Sequence, residues 1–253
     1  MTISPQNKNI RIGKRLETVA EIAAVRLSCE KNETPLCAID VGTDHALLPM
    51  YLLSKHGFSH ITATDINEGP CKAARKNISL AGAFFKEKID VVRTDGLQGI
   101  SGERCNRIIC AGMGGELIRD IISKADFIKE NPEKICLVLQ PQSKENVLRK
   151  YLFENGFRIL CETVVKDAGK LYPIIRAVYD GEKRDFTLFE EYFGKDEVCD
   201  RNLCFDEYFD KKYRIISRNV SLREQSENAV LTEFALEEKK LLSDMQKYLN
   251  ERE

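Results

Sequence analysis

Metal-binding and disulfide patterns are scarce in this chain of 253 residues. It has only three histidines, and although it has nine cysteines, no two of them form a Cys-x-x-Cys pair. Structural zinc sites need such closely spaced ligands, and a disulfide framework is typical of short, cysteine-dense secreted chains. We therefore expect the thiols to be free structural residues, and we expect no metal site.

Long apolar runs are also missing. The longest uncharged apolar stretch, residues 46–53, contains Pro49 and is far shorter than the roughly 20 residues that a membrane span requires. Residues 1–7 lack the charged head and apolar body of a signal peptide. We expect a cytoplasmic protein with no membrane partner.

An excess of one charge is absent overall, but the charge is unevenly distributed. The formal net charge is -1, yet residues 181–253 carry -5 and the rest of the chain carries +4. Basic residues are concentrated in two places, near the amino terminus and within the acidic last quarter. These local basic patches, which suit a phosphate-rich partner, contain Lys8, Arg11, Lys14 and Arg15, and Lys211, Lys212, Arg214, Arg218 and Arg223.

Short Ile- and Val-rich runs alternate with helical patterns, which is typical of an α/β protein with a parallel sheet. The helical patterns cover residues 46–55, 69–81, 114–123 and 143–154. The last two strands are separated only by residues 166–170, so they must form an antiparallel hairpin. Seven strands are predicted, at Leu36–Val41, Ile61–Thr64, Ile89–Arg93, Arg107–Cys110, Ile135–Leu139, Phe157–Val165 and Tyr172–Tyr179.

Helices flank this predicted sheet in the sequence. Residues 13–27 have the apolar periodicity of an amphipathic helix. Thr187 and Glu190 have the spacing of a capping box, and Gly194 is placed to end the short helix that it opens. Two longer helices, at about 205–223 and 228–250, are expected to form an antiparallel hairpin, the second with Val230, Phe234, Leu241 and Tyr248 at nearly heptad spacing.

This organisation predicts two units, a catalytic domain over residues 1–184 and a helical extension over residues 185–253. Because the charge-rich helical sequence begins after the final predicted strand, we expect the first unit to fold without the second.

The first predicted strand runs into a turn that contains Asp40, Gly42 and Asp44. Gly42 allows a ligand to approach the backbone closely. Asp44 stands where a dinucleotide site would have a further glycine, and its carboxylate would repel a pyrophosphate. A carboxylate suits a cationic ligand, such as the sulfonium and ammonium groups of S-adenosylmethionine. Taken alone, the turn is also compatible with a simple connection between a strand and a helix.

Further acids and glycines follow the next three strands. Asp65 lies about 25 residues beyond the first motif, near the spacing at which an acid binds ribose hydroxyls. Asp95 follows the third strand and is placed to accept from an adenine amino group, and residues 111–115 read Ala-Gly-Met-Gly-Gly. Open α/β sheets bind ligands at the carboxyl ends of their strands, so these residues together predict a nucleotide-like cofactor site.

Six short segments closely resemble the bacterial tRNA (adenine-22-N1)-methyltransferase family. The resemblance covers about residues 13–250, and it departs from the family at Thr43 and at Pro173, where Ser and Glu are expected. The segments are Asp-x-Gly-Thr-Asp-His-Ala from Asp40, Asp-Gly-Leu from Asp95, Ala-Gly-Met-Gly-Gly from Ala111 with Leu-Ile-Arg-Asp from Leu117, Leu-Gln-Pro from Leu139, and Asp-x-Gly-Lys-x-Tyr from Asp167.

The resemblance implies a Rossmann-like seven-stranded methyltransferase sheet with a coiled-coil-like C-terminal hairpin. It also implies S-adenosyl-L-methionine as cofactor and N1 of an adenine in tRNA as the methyl acceptor. An NAD(P)-dependent oxidoreductase and a non-catalytic RNA-binding adaptor are the alternatives. The predicted residues are Asp44 as the catalytic residue; Asp40, Gly42, His45, Asp65, Ile66, Asp95, Gly96, Ala111, Gly112 and Met113 for the cofactor; and Lys14, Arg15, Lys211, Lys212, Arg214 and Arg218 for RNA.

Overall fold

The computed structural model of the chain describes residues 10–103, 105–225 and 232–251. Lys8 of the amino-terminal basic patch and Val230 of the predicted heptad lie outside the described residues. Among the described residues, no helix is long and apolar enough to cross a membrane.

A single seven-stranded sheet, in the order β3-β2-β1-β4-β5-β7-β6, forms the centre of the fold. The first five strands are parallel, and β7 pairs antiparallel with both β5 and β6. The predicted strands and the predicted hairpin are therefore confirmed, with shifts of a few residues at their ends. The strands are β1 Cys37–Val41, β2 His60–Asp65, β3 Ile89–Arg93, β4 Arg107–Gly114, β5 Cys136–Ser143, β6 Phe157–Asp167 and β7 Lys170–Tyr179.

Helices cover both faces of the sheet, because its strands carry apolar side chains on both sides. One core cluster includes Val19, Leu52 and Ile109, and the other includes Ile108, Ile118 and Leu148. The helices of this part are α1 Lys14–Ala24, α2 Leu47–Lys55, α3 Glu68–Ala81, α4 Ala83–Lys86, α5 Gly115–Ser123, α6 Asp126–Lys129 and α7 Glu145–Glu154. The short helices α4 and α6 were not predicted.

Three further helices form the extension: α8 Leu188–Phe193, α9 Leu203–Glu224 and α10 Glu233–Asn250. The capping box that opens α8 is present, with both of its hydrogen bonds. The longer helices run antiparallel, because Lys239 pairs with Glu224 at one end and Tyr248 packs on Phe209 at the other. The predicted helical hairpin is confirmed.

The apolar stripe of α10 differs from the predicted heptad. Phe234 is 53 % exposed, whereas the next residue, Ala235, is buried. The buried positions continue through Glu238, Leu241 and Met245, which face α9 and α8. Phe234 therefore lies beside the buried stripe and not in it, because a nearly heptad spacing is compatible with two adjacent phases of one helix.

Helices α8, α9 and α10 pack on β6 and α7 through a small core and through buried charges. Val164 of β6 belongs to the same cluster as Phe193, Phe205 and Phe209. Beside it, Arg149 of α7 pairs with Glu162 of β6, with 2.7 Å between Nε and Oε1. Arg149 also donates to the Tyr192 carbonyl of α8 at 2.7 Å. The Arg149 guanidinium therefore donates to a backbone carbonyl at the carboxyl-terminal end of α8, which has no partner within that helix.

A second buried carboxylate joins α7 to α9. Glu145 accepts hydrogen bonds from the Tyr208 hydroxyl at 2.6 Å and from the Lys212 ammonium at 2.7 Å. Burial alone would raise the pKa of Glu145, but the charge of Lys212 and these two hydrogen bonds outweigh it and lower the pKa to about 2. The Glu145–Lys212 pair therefore joins α7 to α9, whereas Arg149 and Glu162 both precede the extension and Arg149 reaches it through the Tyr192 carbonyl.

Candidate active site

A cavity of about 260 Å³ opens at the carboxyl ends of β1 and β4. It unites much of the predicted site, because Asp40, Asp44 and Gly112 all lie on its wall. A larger cavity of about 670 Å³ lies near Asn106 and Ile135, which precede β4 and β5. That cavity is at the amino ends of the strands, where this class of sheet does not bind its ligands. The smaller cavity is therefore the candidate active site.

The turn after β1 is held in a costly backbone conformation. Gly42, Asp44 and Ala46 have φ of 75°, 48° and 56°, which is unusual for the two residues that carry a Cβ. The amides of Gly42 and Thr43 both donate to the Thr64 carbonyl of β2, at 2.8 and 2.9 Å. A Cβ on Gly42 would lie 2.3 Å from the Met113 methyl group. Such strain is concentrated at ligand-binding sites.

Asp40 supplies a buried negative charge at the base of this cavity. It is 4 % exposed, and burial raises its pKa to about 6; the Thr43 hydroxyl opposes part of this rise, and the charge of Asp65 adds to it. Thr43 is buried too, and its Oγ1 meets no partner among the described residues at full hydrogen-bond geometry. Asp40 is therefore a buried carboxylate beside the turn that forms no ion pair with a Lys or Arg among the described residues.

Asp44 and His45 lie at the outer rim of the cavity. Their side chains are 69 % and 55 % exposed, and His45 Nε2 lies 3.5 Å from Asp44 Oδ2. Asn77 of α3 donates to the His45 carbonyl at 3.0 Å, which ties the turn to the neighbouring helix. Asp44 is therefore accessible to a substrate, whereas Asp40 is not.

Asp65 and Asp95 continue the site along the edge of the sheet. The Thr94 amide donates to the Asp65 carbonyl at 3.0 Å, so the ends of β2 and β3 are held together. Asp65 Oδ1 accepts from the amide of Asn67 at 2.8 Å. Asp95 is separate from the main cavity and lines a shallow pocket beside α5. Ile66 is exposed, Gly96 has a φ of 60° and packs against Ile121, and Met113 contacts Gly42.

Two residues of the cavity region had no predicted place in the cofactor site. Gln140 is fully buried in the second half of β5, and its Oε1 accepts from the Gly112 amide at 3.1 Å and from Arg15 Nη1 at 2.5 Å. Arg15, which was predicted to contact RNA, lines the cavity. In the sequence, Gln140 is a polar residue directly after a predicted apolar strand, and this position could have marked it as a site residue. The sequence does not reveal that Arg15 of α1 is its partner.

The other predicted RNA-binding residues differ in their surroundings. Lys14 is exposed and lies 3.9 Å from Glu21. Lys211, Arg214 and Arg218 are exposed and three to four residues apart on α9, so they share one face. Lys212 lies off this face and its ammonium pairs with Glu145. We therefore define the basic stripe as Lys211, Arg214 and Arg218, without Lys212.

Comparisons with known proteins agree with this geometry. Residues 12–175 match the family model described as a methyltransferase domain. The tRNA (adenine(22)-N(1))-methyltransferase of Bacillus subtilis is 30% identical over 181 residues, which are 68% of this chain and 70% of that protein. A tRNA (m1A22) methyltransferase structure from B. subtilis has a TM-score of 0.74 and 26% identity, and covers 96% of this chain and 99% of its own.

A Streptococcus pneumoniae protein, solved in complex with S-adenosyl-L-methionine, has a TM-score of 0.74 and 26% identity. The match covers 93% of this chain and 99% of that one. Such coverage includes most of the helical extension as well as the sheet.

Proposed function

We infer that this chain, which belongs to the tRNA (adenine-22-N1)-methyltransferase family, uses S-adenosyl-L-methionine to methylate N1 of an adenine in tRNA. The observation that carries this function is the buried Asp40 without a paired cation beside the strained turn at Gly42. A ligand with a positive charge and hydroxyl groups fits this donor set. We further propose that the protein acts in the cytoplasm, where tRNA is made.

The bound cofactor supplies an electrophilic methyl group. Adenine N1 attacks that carbon with its own lone pair, the carbon–sulfur bond breaks, and the electron pair remains on sulfur. The base becomes cationic, so the reaction needs no general base before bond formation. The chain accelerates it mainly by positioning the two reactants and by placing negative charge near the cationic product.

Asp44 is the proposed catalytic residue, because it is the accessible carboxylate on the wall of the cavity. We expect Asp44→Asn to retain cofactor binding and to slow single-turnover methylation of saturating tRNA about 10-fold to 100-fold. Asp90→Asn is the matched control, because Asp90 is also an exposed acid beside a histidine, with 3.1 Å to His60. A wild-type rate for Asp44→Asn would leave Asp44 as a structural residue or a cofactor contact.

The basic stripe on α9 is the proposed RNA contact of the extension. Its three side chains are exposed and form no ion pair with an acid among the described residues. Phosphate contacts make binding dependent on salt, with roughly 0.7 to 0.9 in the logarithmic slope for each phosphate neutralised. Reversing the stripe with Lys211→Glu, Arg214→Glu and Arg218→Glu should weaken tRNA binding and flatten this slope, and leave cofactor affinity unchanged.

The control for the stripe is the same charge change on the adjacent helix, with Lys239→Glu, Lys240→Glu and Lys247→Glu on α10. Equal losses of tRNA affinity in the two triple variants would indicate a general charge effect. An unchanged slope in the stripe variant would make a role of this face in dimerisation the better explanation. Intact chains are preferable to a truncation, because removing residues 185–253 would expose Val164 and remove the Tyr192 acceptor of Arg149.

Transfer of a labelled methyl group to unmodified tRNA tests the function directly. A methylated adenine at N1 is the expected product. Cofactor and tRNA binding without transfer would indicate the RNA-binding adaptor, and hydride transfer with a nicotinamide cofactor would indicate the oxidoreductase.

A further inference from the structure

A third cavity, of about 220 Å³, lies beside the carboxyl-terminal end of α1. Residues 26–29, which follow α1, line it together with Glu133 and side chains of β6 and β7. Arg15, in the first turn of α1, borders the candidate active site, so the two cavities lie at opposite ends of this 11-residue helix, which is about 16 Å long. The cavity is smaller than the roughly 300–1,000 Å³ of pockets that take drug-sized ligands. It therefore suits a small ligand, and three of its side chains are arginines, Arg26, Arg158 and Arg176.

Arg176 places a buried positive charge in the wall of this cavity. The residue is 8 % exposed; its Nε donates to Cys136 Sγ at 3.2 Å, and its Nη2 donates to the carbonyls of Val25 and Arg26 at 2.9 and 3.3 Å. Burial raises the pKa of the Cys136 thiol, so the sulfur is neutral at pH 7 and does not balance the charge. In the described part of the chain, no carboxylate forms an ion pair with Arg176, and no hydrogen bond uses its Nη1. Since buried charges are normally paired, this guanidinium is fixed in place and suited to bind an anion through Nη1.

The sheet brings Arg158 to the same cavity. Arg158 of β6 lies opposite Val178 of β7, and Arg176 is two residues before Val178, so the three side chains share one face of the sheet. Arg158 is 44 % exposed and forms ion pairs with Glu133 and with Asp180, with 3.2 Å between its Nε and Asp180 Oδ2. Its charge is therefore balanced by acids, and it lies at the rim of the cavity.

Arg26 contributes the second charge that is not balanced by an acid. It is half-buried, and its Nη1 donates to the carbonyls of Lys31 and Thr34 at 3.1 and 2.9 Å, which hold the side chain. Among residues 10–103, 105–225 and 232–251, no acid forms an ion pair with Arg26. Glu30 interacts with it electrostatically, but both oxygens of that carboxylate are bound by Arg107, at 2.6 and 2.7 Å. The cavity therefore combines two fixed guanidinium groups that are available to an anion.

We propose that this cavity binds a phosphate group, either a free phosphate ion or the terminal phosphate of a small molecule, through Arg176 and Arg26. Three guanidinium groups face two acids there, Glu133 and Asp180, and both of these acids pair with Arg158. Arginine suits this ligand because its planar fork matches the geometry of phosphate oxygens. A backbone phosphate of RNA carries a ribose on each side and does not reach a guanidinium as deeply buried as that of Arg176. The site is therefore distinct from the basic stripe and does not depend on the proposed function.

Calorimetric titration of the intact chain with inorganic phosphate, at an ionic strength held constant with sodium chloride, tests the proposal. We expect a Kd of about 1 mM or tighter, and Arg26→Gln should weaken binding about 10-fold or more. Glu133→Gln removes an acid that repels the anion and should tighten binding about 2-fold to 5-fold. Arg75→Gln is the matched control, because Arg75 also donates to a backbone carbonyl, that of Val91 at 3.1 Å, and should leave binding unchanged.

A parallel titration with glycerol 3-phosphate distinguishes the two sources of the group. Tighter binding of the ester supports the terminal phosphate of a small molecule, and binding of inorganic phosphate alone supports the free ion. If Arg26→Gln does not fold, Arg158→Gln and Glu133→Gln decide the question, because the first should weaken binding and the second should tighten it.

Three results would overturn the assignment. The first is a wild-type protein that binds neither ligand. The second is equal phosphate affinity in Arg26→Gln and Arg75→Gln, since phosphate would then bind elsewhere on the chain. The third is a loss of tRNA affinity in Arg26→Gln with unchanged phosphate affinity, which would indicate a contact with the RNA backbone instead.

Discussion

Two regions of this molecule bury carboxylates, and the pKa of the carboxylate is raised in one region and lowered in the other. In the cavity, burial raises the pKa of Asp40 to about 6, and no Lys or Arg in the described chain forms an ion pair with it. At the docking interface, Lys212 and Tyr208 lower the pKa of Glu145 to about 2 against the effect of burial, and Arg149 pairs with Glu162. A buried charge that lacks a partner indicates a ligand site, whereas paired charges fix the position of a helix.

The largest expected effect comes from breaking the ion pair at the interface. Arg149→Met leaves Glu162 as a buried charge without its partner, and we expect it to lower the free energy of unfolding by about 3–5 kcal/mol. Adding Glu162→Leu removes the remaining charge and should restore much of that loss. Chemical denaturation of both variants measures this. A single variant as stable as the wild type would show that the buried pair does not contribute to the stability of the fold.

At the candidate active site, in contrast to the interface, removing a charged side chain should weaken ligand binding and leave the stability of the fold almost unchanged. Asp65→Ala removes a charged hydrogen-bond acceptor for the ribose, and we expect cofactor binding to weaken by about 1–3 kcal/mol. Thermal melting should remain close to that of the wild type, because Asp65 is only partly buried. Calorimetry checks the affinity, and unchanged binding in a folded variant would remove Asp65 from the site.

Lys212→Met tests whether the low pKa of Glu145 stabilises the docked extension. A folded-state pKa of about 2, below the ordinary 4.5, stabilises the folded protein above pH 4.5, and this contribution is lost as the pH falls from about 4.5 to about 2. The variant should lose about 2 kcal/mol at pH 7 and show less of this acid dependence. Lys211→Met, at the exposed neighbouring position, is the matched control for denaturation at both pH values.

The smallest expected effect is a pH dependence of cofactor affinity. A cationic ligand prefers ionised Asp40, and a pKa of about 6 means that the ionised fraction falls about tenfold between pH 7 and pH 5. Wild-type affinity for S-adenosylmethionine should fall by about the same factor. Asp40→Asn should bind more weakly at pH 7 and show little change down to pH 5. A wild-type affinity that rises toward pH 5 would contradict this account of Asp40.

The sequence alone predicted the site residues that directly follow the strands of the sheet. Acids and glycines that directly follow apolar strands are brought together by any parallel sheet, so Asp40, Gly42 and Gly112 were expected near one another, and the cavity unites them. Asp95 was expected at the same edge of the sheet, and it lies there. The order of the strands in the sequence does not reveal that Asp95 borders a pocket separate from the main cavity.

What the sequence by itself determined was the strand order in the chain, the hairpin, the capped helix and the placement of motifs at strand ends. These features follow from apolar periodicity over short stretches of sequence. They also follow from the length of the connections, because parallel strands need a long crossover and antiparallel strands can be joined by a short turn. The tertiary structure decided which way each helical side chain faces. Lys211 and Lys212 are adjacent and chemically identical, yet a rotation of about 100° around α9 leaves Lys211 exposed and brings the half-buried Lys212 against Glu145. Arg15 lies on the wall of the cavity because its guanidinium donates to Gln140, a residue 125 positions away that the local sequence could not identify as its partner.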